Sequence, residues 1–275
     1  GVTEGALKYA PQALPLFLLA EKTSRRDLAT QTYLISVDAR AGRIGPALKR
    51  MDRTLRVSKV GRQRFYPMLA QQLVHAESRR ELASIANTQT PWLPDFLSYV
   101  IDTPTPPDAI AKTVRAVGGY PLHEGRQTFE QGLLRSLNSS GNFAAMAEVL
   151  PVLREVPAKL LSTAALTRAT LDESASPLAW QIGGNAAITV YSAIDPNGRG
   201  SLAVSMGGGL SGLAARKLLL LRPGRHRLSV AQSGGAGTEP MRSATAQPEW
   251  TVACLDSDPP ETLLTLSGKA TSGEF

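Results

Sequence analysis

Residues 205–230, SMGGGLSGLAARKLLLLRPGRHRLSV, constrain the fold more than any other stretch, because they admit two incompatible conformations. In one, Leu218, Leu219, Leu220 and Leu221 form an apolar strand, Arg222-Pro223-Gly224 turns, and a second strand follows. Proline presets φ and glycine accepts positive φ, so Pro-Gly is turn chemistry. His226, Leu228 and Val230 then alternate with Arg227 and Ser229, the period of a half-buried strand. In the other, SLAVSM is a strand, the glycines form a loop, and LAARKLLLL is a helix. The first conformation belongs in a β-sandwich and the second in a parallel α/β fold.

Gly207, Gly209 and Gly212 satisfy G-x-G-x-x-G, and over about thirty residues the stretch resembles the N-terminal fingerprint of flavin-dependent amine oxidases and desaturases. That resemblance implies a flavin- or NAD-binding oxidoreductase, with backbone N–H groups approaching a pyrophosphate at a helix N-terminus. Its second strand should end on an acid for the ribose hydroxyls, and Gln232 stands there instead. Only 43 residues follow Gln232, too few to complete a domain of two βαβαβ halves. The sandwich reading is therefore preferred, and the oxidoreductase fragment is kept as its alternative.

The preceding sequence reads as consecutive short amphipathic helices. Pro11 and Pro15 suit the first turn of a helix running to Lys22. Asp27 opens the next, which Gly42 closes, with Leu28, Ile35 and Ala39 on its apolar face and Tyr33 and Val37 beside them. Pro46 begins a helix whose stripe is Leu48, Met51 and Leu55. Further helices are expected at 62–76, 78–87, 92–101, 108–117, 124–137 and 142–155. Thr90-Pro91, the prolines at 104, 106 and 107, and Gly118-Gly119 with Pro121 break the series.

Short, paired, closely connected helices are the pattern of an α-solenoid. Leu34, Gly42, Ala47 and Met51, and later Phe129, Ala145 and Pro157, fall near the positions that mark tetratricopeptide repeats. Ala47 to Ala83 and Ala109 to Ala145 each span 36 residues, close to that repeat's period. This half resembles a degenerate tetratricopeptide-like array, which implies helical hairpins and a partner-binding surface. Residues 158–176 add a last helix and a linker.

After Pro177 the period changes from helical to two. Trp180 and Ile182, then Leu202, Val204 and Met206, then Trp250, Val252 and Cys254 alternate. Gly183-Gly184-Asn185, Asp195-Pro196-Asn197-Gly198 and Pro259-Pro260 punctuate them. About seven short strands at this spacing suggest a sandwich, and the series resembles small carbohydrate-binding jelly rolls. The expected fold class is thus α + β and multidomain: a tetratricopeptide-like α-solenoid over 1–172, then an antiparallel β-sandwich or jelly roll over 177–275.

The chemistry-bearing residues point away from a reaction. His75, His123 and His226 lie in no metal-type spacing, and Cys254 is the only cysteine, so no metal site and no internal disulfide are expected. No lysine follows the glycines as a Walker loop requires, and no Gly-x-Ser-x-Gly elbow occurs. Asp195, Asp256 and Asp258 have the oxygen chemistry calcium takes, but are read in preference as solvated loop acids. No cofactor is expected, and the role is read as noncatalytic.

The net charge of +7 is uneven: residues 1–155 hold 20 basic and 14 acidic side chains. Nine bases lie between Arg40 and Arg64, against the single acid Asp52. Lys49, Arg50, Arg53 and Arg56 are the candidate contacts for a protein partner or an anionic chain such as acidic polysaccharide. Sequence-specific nucleic acid is not expected, since no aromatics interleave with these bases to stack on. Trp180, Tyr191 and Trp250 are the candidates for stacking on a glycan if exposed, and core residues if buried. No apolar run is long enough to span a bilayer. The chain starts at Gly1, which suggests processing or trimming and leaves an upstream signal or anchor open. Array plus jelly roll suggests, by analogy of fold, a bacterial binding or scaffold protein of the periplasm or cell envelope with a part in polysaccharide assembly.

Overall fold

A computed structural model describes residues 13–24, 27–87, 89–156, 158–172, 177–184, 188–206, 211–231, 249–255, 260–267 and 272–274. The fold is mixed α + β, with a helical N-terminal region followed by small antiparallel sheets. The chain divides into two compact units. One comprises Gly1–Leu133 with Pro151–Glu155, the other Leu134–Leu150 with Val156–Phe275.

The first unit contains α1 (Ala13–Thr23), α2 (Leu28–Arg40), α3 (Ile44–Val57), α4 (Lys59–Gln72), α5 (Ala76–Ile85), α6 (Leu93–Ile101) and α7 (Pro107–Val117). Local chemistry sets the boundaries. The Asp27 carboxylate accepts the Thr30 amide at 2.7 Å, capping α2, and Ser58 Oγ accepts the Gly61 amide at 2.9 Å, capping α4. The α2–α3 connection turns at Gly42, φ +70°, and α7 ends at Gly118, φ +85°, conformations that a Cβ disfavours. Pro67 interrupts the hydrogen-bond ladder inside α4.

α2 packs on α3, α3 on α5 and α5 on α7, while α4 packs on α3 and α6. Leu48, Met51 and Leu55 of α3 are buried as their spacing predicts, and Phe65, Leu69, Leu82, Phe96 and Leu97 join them in the core. Each such side chain stabilises the unit by roughly 1.5–3 kcal/mol on burial. The small residues Ala47 and Ala109 are buried as well, while Ala83 is half-buried. On α2 the buried face differs from the expected one. Tyr33, Leu34 and Ile35 are buried with Thr30, Gln31 and Asp38, whereas Ala39 is exposed and Leu28 and Val37 are half-buried. The inward stripe accepts Asp38 because Arg43 and, from α3, Arg50 pair with its carboxylate.

Helix α8 (Arg126–Ser139) begins in the first unit, where Phe129 and Leu133 are buried. Fully buried Glu130 accepts the amides of Arg154 and Glu155, both at 2.9 Å, and Tyr120 stacks on Phe129 with 4.6 Å between ring centres.

Helix α9 (Phe143–Val149), in the second unit, gives way at Leu150 to a single tight 3₁₀ turn that contains Pro151, ending earlier than the expected 155. Residues 158–162 are a 3₁₀ turn and α10 (Arg168–Leu171) is one turn long. The strands are β1 (Gln181–Ile182), β2 (Ile188–Ile194), β3 (Gly200–Met206), β4 (Ala215–Arg216), β5 (Arg227–Ser229), β6 (Glu249–Cys254), β7 (Glu261–Ser267) and β8 (Ser272–Glu274). They pair antiparallel in twos, β1 with β4, β2 with β3, β5 with β8 and β6 with β7, and among the described residues they do not close into a sandwich. The β2–β3 hairpin turns where expected: the Asp195 carboxylate accepts the amides of Asn197 and Arg199, both at 2.8 Å, and Gly198 has φ +78°. Residues 158–172 hydrogen-bond to the strand segment. Gly200 donates to the Leu166 carbonyl, Trp180 to Thr170 and Leu220 to Leu161.

The leucine tract at 218–221 is neither helix nor regular strand. The expected strand at 218–221 does not form: β4 stops at Arg216, before the leucines, β5 (Arg227–Ser229) lies on the far side of Pro223-Gly224, and the two pair with β1 and β8 and not with each other. The glycine loop is not followed by a helix. Gly207 and Gly209 lie outside the described residues, as do Asn185, Gln232, Asp256, Asp258, Pro157, Pro259 and Pro11.

Candidate binding surface on the helical array

The four basic candidates all belong to α3. Ala47, Leu48, Met51, Thr54 and Leu55 face inward, which turns Lys49, Arg53 and Arg56 to solvent and leaves Arg50 at the margin. Arg50 is anchored. Its Nε donates to Asp38 Oδ2 at 2.9 Å, and its guanidinium pairs with Glu21 of α1. Asp38 Oδ1 also receives Arg43, Nε at 2.9 Å and a terminal nitrogen at 2.7 Å. The Arg50 guanidinium holds the Glu21 carboxyl below its ordinary range, against the opposing effect of burial. Arg53, with its side chain 55% exposed, lies 3.7 Å from the same Glu21 oxygen.

Arg56 donates to both carboxylate oxygens of Asp52, one turn earlier, at 2.9 and 3.0 Å. Asp52 Oδ1 also accepts the indole N–H of buried Trp92. Arg62 on α4 pairs with Asp95 of α6 at 2.6 Å and donates to the Leu55 carbonyl. Nearby, Tyr66 donates its hydroxyl to the Trp92 carbonyl at 3.0 Å, and burial pushes that hydroxyl's pKa up. Glu21, Asp38 and Asp95 thus enter the basic window from other helices. A count along the chain misses them, and the signal lies only in the fold. The outward ends of Lys49, Arg53 and Arg56 remain a positive ridge on one helix. An array of this kind attracts anions through long-range charge and fixes them by hydrogen bonds from the guanidinium groups.

The aromatic candidates separate. Trp180 is buried and packs edge-to-face on half-buried Trp250, ring centres 6.3 Å apart at 83°. Neither indole N–H has an acceptor among the described residues. Tyr191 on β2 is 63% exposed. Of the three, Tyr191 presents a free ring face, and the structure does not bring it into a cluster with the tryptophans.

The remaining candidates belong to the second unit. Gly212 is exposed in an irregular segment. His226 hydrogen-bonds to the Arg222 carbonyl at 2.7 Å, and Cys254 is half-buried on β6. Among the described residues, no three His, Cys, Asp or Glu side chains gather as a metal centre would need. No helix there is long and apolar enough to cross a membrane. A group absent from the sequence reading is Lys217, which follows β4. Its ammonium donates to the Leu178 carbonyl, and burial lowers its pKa to about 8. Comparisons with protein-family models, curated proteins and solved structures find no match to this chain.

Proposed function

We propose that this chain is a noncatalytic binding or scaffold protein of the bacterial cell envelope, holding an anionic polymer on the outward ridge of α3. The helices are read as degenerate tetratricopeptide-like hairpins and the strands as parts of a jelly roll. The observation that carries the proposal is the placement of Lys49, Arg53 and Arg56 on the solvent side of a helix whose opposite side is fully packed. Such a ridge is rigid, so a bound chain loses its own freedom but does not order the protein. Acidic polysaccharide fits the reading, since no aromatic interleaves with the bases for nucleobase stacking.

Arg50 acts as support in this scheme, because Glu21 and Asp38 already hold its guanidinium. The strand-rich unit contributes a glycan contact centred on exposed Tyr191. A flavin or nicotinamide site at Gly207, Gly209 and Gly212 has less support. Its phosphates require a helix N-terminus, and residues 211–222 contain no helix.

Polygalacturonate binding by biolayer interferometry tests the main reading. Binding is expected at low salt, with a steep loss as salt rises. Replacing Lys49, Arg53 and Arg56 by Gln together should weaken it about tenfold or more. Salt-sensitive binding that survives the triple replacement unchanged removes the ridge from the function.

A further inference from the structure

We propose that the outward face of α4 docks an acidic, amphipathic helix of a protein partner. This rests on the reading of the array as a partner-binding scaffold, but it assigns a different surface from the α3 ridge.

Helix α4 buries Gly61, Phe65, Tyr66, Leu69 and Ala70. Its opposite side carries Val60, Arg64, Pro67 and Gln71, spaced by four, three and four residues, so they form one stripe along the helix. Met68 flanks that stripe. Val60 is 61% and Met68 40% exposed, and Val57 and Val74, in the chain just before and just after α4, are exposed as well. Exposed apolar residues scattered singly carry no meaning, but a stripe at helical spacing offers the ridge that a second helix packs against. Fourteen residues make about 21 Å of helix, room for four turns of a partner.

Charge specifies the occupant. The α4 sequence KVGRQRFYPMLAQQ has three cations and no acid. Arg62 is committed to Asp95, whereas Lys59 and Arg64 are exposed and make no ion pair among the described residues. Pro67 adds a polar feature. Lacking an N–H, it leaves the Gln63 carbonyl without its usual intrahelical donor. A partner helix with leucines toward Val60 and Met68 and glutamates toward Lys59 and Arg64 satisfies both the apolar and the cationic parts. A polysaccharide satisfies only the second. Recognition of this kind reads anchors at i, i+3, i+4 and i+7.

The probe is a fluorescein-labelled amphipathic peptide with leucines on one face and glutamates on the other, titrated with the full chain by fluorescence polarisation. A second peptide carries lysines for the glutamates, and a third serines for the leucines. The acidic amphipathic peptide should bind at least tenfold more tightly than either control. V60D with M68D should weaken it tenfold or more, R64E likewise, with the circular dichroism spectrum unchanged. The Lys49, Arg53 and Arg56 replacements should leave the peptide affinity within twofold, and excess polygalacturonate should not displace it. Failure of polygalacturonate binding alone therefore counts against the α3 ridge and not against this surface. No binding of the acidic peptide, equal binding of the lysine peptide, insensitivity to V60D with M68D, or displacement by polygalacturonate would each overturn the proposal.

Discussion

The indole N–H of Trp92 donates to the Asp52 carboxylate at 2.9 Å, joining residues 40 positions apart, one on α3 and one just before α6. The same carboxylate orients Arg56. One acid therefore satisfies a buried donor and positions a cation of the proposed ridge.

Asp52→Ala should cost roughly 1–3 kcal/mol in denaturant unfolding, the range for a buried donor left without its partner. Asp52→Asn keeps an acceptor for Trp92 and should cost less. Equal losses in the two variants would mean that the charge on Arg56, not the indole bond, carries the effect. A tryptophan fluorescence shift at equal folding should accompany the alanine variant.

The Glu21 carboxyl provides a pH test. Its pKa in the folded chain lies below the ordinary 4.5, with the hydrogen bond from Arg50 as the main cause. A depressed carboxyl contributes stability that is present above the unfolded value and is lost as pH falls through the folded one. Stability should therefore decline below about pH 4.5, and Arg50→Met should flatten that decline while lowering stability at neutral pH, where Asp38 and Glu21 lose their shared partner. Urea midpoints measured across pH 3 to 7 check both effects. A parallel decline in the two proteins would place the acid sensitivity elsewhere.

Lys217 gives a second pH test, in which folding disfavours the charged form. Burial lowers its pKa from 10.5 to about 8, so the unfolded chain binds its proton more readily between those values. The penalty for burying its charge is fully present below about pH 8 and is relieved as pH rises toward 10.5. Lys217→Met should remove this rise of stability and raise stability at pH 7. Thermal unfolding of both proteins across this interval measures it, and an identical pH slope would show the ammonium to be solvated in the folded chain.

Much of the helical half is legible in residue types. Asp27 and Gly42 bound α2 through capping and positive φ, and the period of Leu48, Met51 and Leu55 orients α3 correctly. The inward face of α2 is not legible, because Gln31 and Asp38 are polar and look solvent-facing until Arg43 and Arg50 are placed beside Asp38. The same blindness inflates the basic window, whose neutralising acids come from α1, α2 and α6. Near residue 220 the sequence correctly argues against a helix, since Pro223-Gly224 punctuates the tract. It overstates the strand, because pairing depends on partners that a single run of leucines does not specify. Alternation at Trp180 and Trp250 likewise reports burial without reporting that their rings meet each other.

The chain leaves the first unit after Leu133 and comes back to it at Pro151, where buried Glu130 collects the amides of Arg154 and Glu155. No single cleavage of the backbone can then yield both units whole. A fragment stopping short of residue 151 strands an anion in the interior, so the helical part should be inherited, expressed and exchanged between proteins only together with its returning segment.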